Sequence, residues 1–303
     1  MKLLLFLATQ KGYCTLKGII DTGFTDDIGL VVSFHETNVV KDWCEDIRVL
    51  CERVGIDFLL WKDIRESIAK VINSIGITNA IAVSWKFMIN SAECSALKEP
   101  LIVFHDSLLP KYRGFAPIPT AMICGDTTVG VTALYAVDKV DAGPIISQSH
   151  ITIDNSMYVQ DVIDRISELY ADMTVNIIHQ IKTGKELSLT YQDESLAVYS
   201  IWRSPDDCHI DWNQSSNDIY NFIRAVSSPY PGAFTYYGNE KIIINCAEIA
   251  EDITFAIRQP GKLWSIEDNK PMVICGKGML RITEAVNING NKLIFNHLRE
   301  RLN

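Results

Sequence analysis

No two of the eight cysteines, at positions 14, 44, 51, 94, 124, 208, 246 and 275, form a Cys-x-x-Cys pair. No histidine spacing completes a zinc site either, so the common structural-zinc and dithiol-redox motifs are absent and no metal is expected. Cys44 and Cys51 lie seven residues apart on an expected helix, where they read as packing. Scattered cysteines without a secretory leader point to a reducing, cytoplasmic setting. Gly-x-Gly-x-x-Gly and Walker runs are missing too, which leaves a dinucleotide or triphosphate site unsupported. Positive charge is scarce: 28 Lys and Arg stand against 37 Asp and Glu, a formal net charge of −9. From Ile201 onward there are 11 basic and 12 acidic residues, and before it 17 and 25. Neither part has the basic excess that phosphate neutralisation requires, so nucleic acid is not an expected partner. No apolar run approaches membrane-spanning length, so no membrane is expected. The run Met1–Ala8 is apolar but short, and Gln10-Lys11-Gly12 ends it; it reads as a first buried strand.

What the chain does have is a globular composition, 48% apolar over 303 residues, enough for one large or two modest domains. Short apolar runs at Lys2–Ala8, Ile28–Ser33, Asp57–Trp61, Asn79–Ser84 and Leu101–Phe104 predict strands. Amphipathic segments between them, at Cys14–Asp21, Val40–Val54, Ile64–Ile75 and Met88–Leu97, predict helices. That alternation implies an α/β fold, a Rossmann-like, mostly parallel sheet with helices on both faces. Further strands are expected at Val129–Ala136 and Pro144–Ile151, and a long helix over Tyr158–Thr183 capped by Gly184. After Thr190 the pattern turns to short strands, such as Lys241–Ile244, Pro271–Ile274 and Leu280–Thr283, with one helix at Asn217–Val226. The expected domains are 1–190, catalytic, and 201–303, smaller and β-rich.

The most informative stretch is His105-Asp-Ser-Leu-Leu-Pro-Lys-Tyr-Arg-Gly114. A histidine sits where a parallel strand should end, and in open α/β sheets ligands bind outside the carboxyl ends of the strands. About 30 residues on, Val137-Asp-Lys-Val-Asp141-Ala-Gly143-Pro forms an acidic turn. A histidine and an aspartate on two loops at one end of a sheet are suited to general acid–base chemistry.

These runs, with Ala116-Pro117, Gly125 and Thr128–Thr132, resemble the 10-formyltetrahydrofolate-dependent formyltransferases. Arg203-Ser-Pro-Asp-Asp207, Ile210-Asp-Trp212, Arg224-Ala-Val226 and Pro229–Phe234 resemble the C-terminal domain of the branch that modifies nucleotide-linked amino sugars. The resemblance implies a barrel-like C-terminal domain and transfer of a formyl group from 10-formyltetrahydrofolate to a sugar amine, in surface polysaccharide biosynthesis. His105 and Asp141 match the catalytic pair, with Asp138 the exposed neighbour. Trp85, Lys86, Met88 and Ile89, with the backbone of Val137, Asp138, Val140 and Gly143, match the pterin pocket. Ser107, Lys111, Tyr112 and Arg113 are expected near the anionic substrate, with structuring of the loop the alternative for Arg113. A homodimer is left open. Methionyl-tRNA formyltransferase, a weak folate-binding relative and a formyltetrahydrofolate hydrolase are the alternatives; the acidic charge speaks against tRNA.

One position departs from the family pattern. Where an asparagine usually precedes the histidine by two residues, this chain has Val103, on the same strand face as His105. Losing such a donor to an oxyanion typically costs about 3 kcal/mol of barrier. A protonated His105, a backbone amide, water, Asn90 or Ser107 could take its place, and a compensated enzyme is expected. Asp106 stands where relatives often carry Gly or Pro; it reads as a cap for the amides of Ser107 and Leu108.

Overall fold

Strand β1, Leu3–Leu7, is fully buried, and so are β2, Ile28–Ser33, and β4, Asn79–Val83. Continuous apolar runs of this kind are what strands covered on both faces require. In this computed structural model, residues 1–37, 39–89 and 91–303 are described. Helix α1, Thr9–Asp21, follows β1, and α2, Cys44–Val54, follows β2 and ends at Gly55 in the left-handed region, φ 75°. β3, Phe58–Leu60, precedes two short helices, α3, Trp61–Ile64, and α4, Ile68–Ile75. The single helix expected over Ile64–Ile75 is broken because the Ser67 amide donates to the Ile64 carbonyl at 2.8 Å and closes the first turn. The helix expected at Met88–Leu97 is a correction as well: its described residues hold only a 3-10 turn at Ser91–Cys94. Its serines favour turns over helix interiors.

β5, Ile102–His105, is followed by β6, Arg113–Gly114, α5, Pro117–Ile123, and the paired β7, Thr128–Tyr135, and β8, Ile145–Thr152. Helix α6, Val159–Lys182, comes next, then β9, Tyr199–Ser200, which pairs with β6. The main sheet runs β3-β2-β1-β4-β5-β7-β8, parallel as far as β5 and antiparallel beyond. The winding reverses between β1 and β4. Right-handed crossovers therefore set α1 and α2 on one face and α3 and α4 on the other. Leu4, Phe6, Leu30, Val32, Ala80 and Ala82 share one core cluster with Ile64, Ile68 and Ile72 of α3 and α4, as a period of two along each strand demands. Gly18 of α1 touches α6 closely; an added Cβ would lie 2.9 Å from that of Ala171.

The chain divides into two units, and this sheet lies in the first, Met1–Pro117, Thr128–Thr152 and Ile163–Ile201. The second comprises Ile118–Thr127, Ile153–Val162 and Trp202–Asn303. It holds α7, Ser216–Val226, and strands β10, Ala233–Tyr237, β11, Glu240–Ala250, β12, Leu263–Glu267, β13, Lys270–Ile274, and β14, Met279–Asn287. The five strands form an antiparallel sheet, β10-β11-β14-β13-β12. Residues Arg301 and Leu302 bridge Lys262 and Tyr237, so the chain end spans the two open edges in a barrel-like manner. Ser215 caps α7 by accepting from the Asp218 amide at 3.1 Å. The α/β sheet and the smaller β-rich unit match the fold class expected from sequence. No helix among the described residues is long and apolar enough to cross a membrane.

Candidate active site

His105 is the last residue of β5 and lies opposite Thr132 of β7. The loop behind it is organised around that threonine. Thr132 Oγ1 donates to the Ser107 carbonyl at 2.6 Å, accepts from the Leu109 amide at 3.1 Å, and accepts from Gln148 Nε2 at 2.8 Å. Gln148 also donates to the Leu109 carbonyl at 2.9 Å. Gly130 of β7 is required by the same packing, because a Cβ there would meet Leu108 Cδ2 at 2.5 Å.

The imidazole is buried. Its Nε2 lies 2.7 Å from the Tyr112 carbonyl, and its Nδ1 lies 3.5 Å from Asp141 Oδ2. A carbonyl only accepts, so Nε2 carries a proton and donates it. Nδ1 is then the nitrogen that faces Asp141. Asp141 has a left-handed backbone, φ 51°, and its Oδ2 accepts from the Gly114 amide at 2.9 Å. Gln192 Nε2 pins the turn through the Asp141 and Gly143 carbonyls, each at 2.8 Å. Gly143 admits no side chain: a Cβ would fall 1.8 Å from the Tyr135 carbonyl oxygen. Asp138, three residues before Asp141, is exposed.

Asp106 does not cap its own loop. It accepts from Lys11 Nζ of α1 at 2.5 Å and from the Tyr170 hydroxyl of α6 at 2.6 Å. Burial by itself would raise its carboxyl, but Lys11 and the two hydrogen bonds outweigh it, and Asp106 stays below the usual carboxylate range. Burial and the neighbouring Asp106 hold the Tyr170 hydroxyl protonated, well above its ordinary value.

The other residues expected at the site divide by environment. Ser107 is buried and donates to the Lys111 carbonyl at 2.5 Å, inside the loop. Tyr112 is buried with φ 59°, and exposed Lys111 places its ammonium 4.7 Å from the Tyr112 ring centre. Arg113, expected to meet an anion, is 0% exposed. Its Nη1 and Nη2 bind Glu194 at 3.0 and 2.9 Å and its Nε and Nη2 bind Gln192 at 3.1 and 2.7 Å. The guanidinium is spent on the loop's own scaffold. Asn90 lies outside the described residues. Val103 is half-buried and packs against Leu109, Leu134 and Ile145.

Trp85 sits in an aromatic cluster with Phe6, Phe34, Trp61 and Phe87, ring centres 5.1 to 5.7 Å away. Its indole Nε1 is buried without a hydrogen-bond partner among the described residues, an arrangement that calls for an acceptor. Lys86 is exposed with its ammonium 4.5 Å from the Phe34 ring centre, Ile89 packs on the core, and Met88, Val137 and Val140 are exposed. No cluster of His, Cys, Asp or Glu suited to a metal occurs among the described residues.

Sequence reasoning missed Lys11, Tyr170, Gln192, Glu194 and the Gly114 amide. Only Gly114 had a local signal, its place at the end of the His105 run; the others reach the site from distant elements.

Two family models match the chain: formyl transferase over residues 59–178, and formyl transferase, C-terminal domain, over 203–296. Among solved structures, WlaRD, a sugar 3N-formyl transferase in the presence of dTDP and 5-N-formyl-THF, is 17% identical with a TM-score of 0.67. The match covers 95% of this chain and 98% of that one. The N-formyltransferase of Helicobacter canadensis, in complex with folinic acid and dTDP-3-aminofucose, is 16% identical with a TM-score of 0.67, covering 97% and 100%. HypX of Aquifex aeolicus in complex with tetrahydrofolic acid is 16% identical with a TM-score of 0.63; 96% of this chain spans only 45% of HypX. At such identities the likeness to these structures is one of fold.

Proposed function

The chain belongs to the formyl transferase family, and from that premise we propose that it moves a formyl group from 10-formyltetrahydrofolate to the amine of a nucleotide-linked amino sugar. The observation that carries this reading is the His105–Asp141 pair, 3.5 Å apart at the carboxyl end of the sheet. Two neighbours of similar fold, solved with dTDP-type ligands and formylated folates, favour the sugar branch. The net charge of −9 favours a small anionic substrate over RNA.

A folate fits the residues present. Trp85 Nε1, without a partner among the described residues, would donate to a heteroatom of a flat ring, and Met88, Val137 and Val140 expose apolar side chains. When bound, the folate supplies an activated formyl carbon. The protein's part is proton handling. An amine seated against His105 would give up its proton at Nδ1, since Nε2–H is held by the Tyr112 carbonyl. Asp141 would then stabilise the imidazolium, and its own orientation is set by the Gly114 amide.

The test is formyl transfer to a panel of dTDP- and UDP-linked amino sugars, read by mass spectrometry of the product. His105→Ala and Asp141→Asn are expected to lower turnover by about 100-fold or more, with folate binding by calorimetry little changed. Turnover by His105→Ala near the wild-type rate, or no formylated product from any amino sugar, would overturn the reading.

A further inference from the structure

Next to His105, on the same strand end, lies a charged knot that the proton chemistry above does not use. Asp106 is gripped by Lys11 from α1 at 2.5 Å and by Tyr170 from α6 at 2.6 Å. Lys11 is 8% exposed and Tyr170 is 1% exposed. The Tyr170 ring also packs on Phe104, centres 5.3 Å apart, and the Lys11 ammonium lies 5.9 Å from that ring's centre. Three elements thus converge on the residue that follows the catalytic histidine. Replacing both members of such a pair by well-packed apolar residues is often neutral or stabilising, so this ion pair needs a reason other than stability.

We propose that Lys11, Asp106 and Tyr170 are positioning residues for formyl transfer: they hold the end of β5 and balance the charge beside the His105 imidazole. The proposal rests on the function argued above. Asp141, from the turn after β7, is the carboxylate that faces the imidazole, at Nδ1. Asp106, which follows His105 in the chain, is met by Tyr170 from α6 and Lys11 from α1. Lys11 compensates the charge of Asp106.

The experiment reads His105 directly, by NMR titration of 15N-histidine-labelled protein, with kinetics alongside. Asp106→Asn removes an anion and exposes the ring to the uncompensated Lys11, so its titration should move to lower pH by about one unit. Lys11→Met leaves Asp106 uncompensated, and the titration should move to higher pH by about one unit. Asp27→Asn, which breaks the pair between Asp27, before β2, and Lys182 at the end of α6, should leave it in place. Both knot variants should lose at least tenfold in kcat with little change in KM. Removing one partner of a buried pair can unfold a protein, so Tyr170→Phe and the double variant Lys11→Met with Asp106→Leu accompany them. Tyr170→Phe should lose severalfold in kcat without a titration shift. The double variant should fold and remain slow. Titrations that do not move, or that move in the same direction, overturn the proposal, as does wild-type turnover by the double variant. Absence of formyl transfer by the wild-type protein would overturn the functional reading, and the two titrations would still decide the charge balance.

Discussion

Val103 occupies the strand position from which an amide side chain would face the reacting group. Its isopropyl group packs on Leu109, Leu134 and Ile145 and on the cluster that includes Trp85 and Ala136. The surroundings are built for a hydrocarbon. Val103→Asn is therefore expected to lose about 1–3 kcal/mol of stability in denaturant unfolding, the cost of a half-buried amide without a partner. Turnover should change severalfold at most, in either direction. A gain of roughly a hundredfold would mean that the site lacks this donor and nothing else supplies it. Ser107, considered as a substitute, is committed to the Lys111 carbonyl at 2.5 Å.

The pairing of β6 with β9 decides what Arg113 does. These two short strands bring residues 192–200 alongside the His105 loop, with Arg113 beside Tyr199 and Gly114 beside Ser200. Gly114 is a glycine by necessity, since its φ is 101° and a Cβ would meet the Ser200 carbonyl at 2.5 Å. Arg113 ties the loop to Gln192 and Glu194, and Gln192 in turn ties the Asp141 turn. Glu194 is drawn from 4.5 down to about 2, first by hydrogen bonding to Arg113 and then by Lys139. A carboxylate with a depressed folded-state value contributes stability that is present above its unfolded value and lost as pH falls through the folded one. The clamp should therefore hold above about pH 4.5 and fail on approach to about pH 2. Glu194→Gln removes this dependence, so the melting-temperature difference between wild type and variant should shrink steadily across that interval. A constant difference would show that the charge on Glu194 does not support the clamp.

Over the whole molecule the charge distribution bears on the substrate. The 17 basic residues before Ile201 stand against 25 acidic ones, and two cations of this part are neutralised, Lys11 by Asp106 and Arg113 by Glu194. Initiator tRNA should therefore bind no more tightly than about 10⁻⁴ to 10⁻⁶ M at physiological salt, the non-specific range. Filter binding across a salt series checks this. Tight binding with a steep salt slope would favour tRNA as the formyl acceptor.

Sequence by itself determined the features that local chemistry encodes. The buried strands β1, β2 and β4 follow from unbroken apolar runs, and β7 and β8 from strand-length segments that flank the acidic turn. The His105–Gly114 run and the Asp141 turn are each contiguous, so both halves of the pair proposed as catalytic were visible as motifs, and the structure brings Asp141, not the exposed Asp138, to His105. Only the tertiary structure decided which partners those residues keep. Lys11 reaches Asp106 across 95 positions, Tyr170 across 64, and Gln192 and Glu194 reach Arg113 across 79 and 81. Tyr170 lies on the periodic apolar face of α6, which signals its burial and not its partner, and Lys11, Gln192 and Glu194 carry no periodic or motif signal. Each becomes a partner only when the sheet, α1, α6 and the β6–β9 pairing bring it there. Arg113 shows the consequence: in the sequence it is a cation beside a catalytic loop, and in the fold its charge is already satisfied. A side chain's type is set by its codon, but its free charge is set by what folding packs against it.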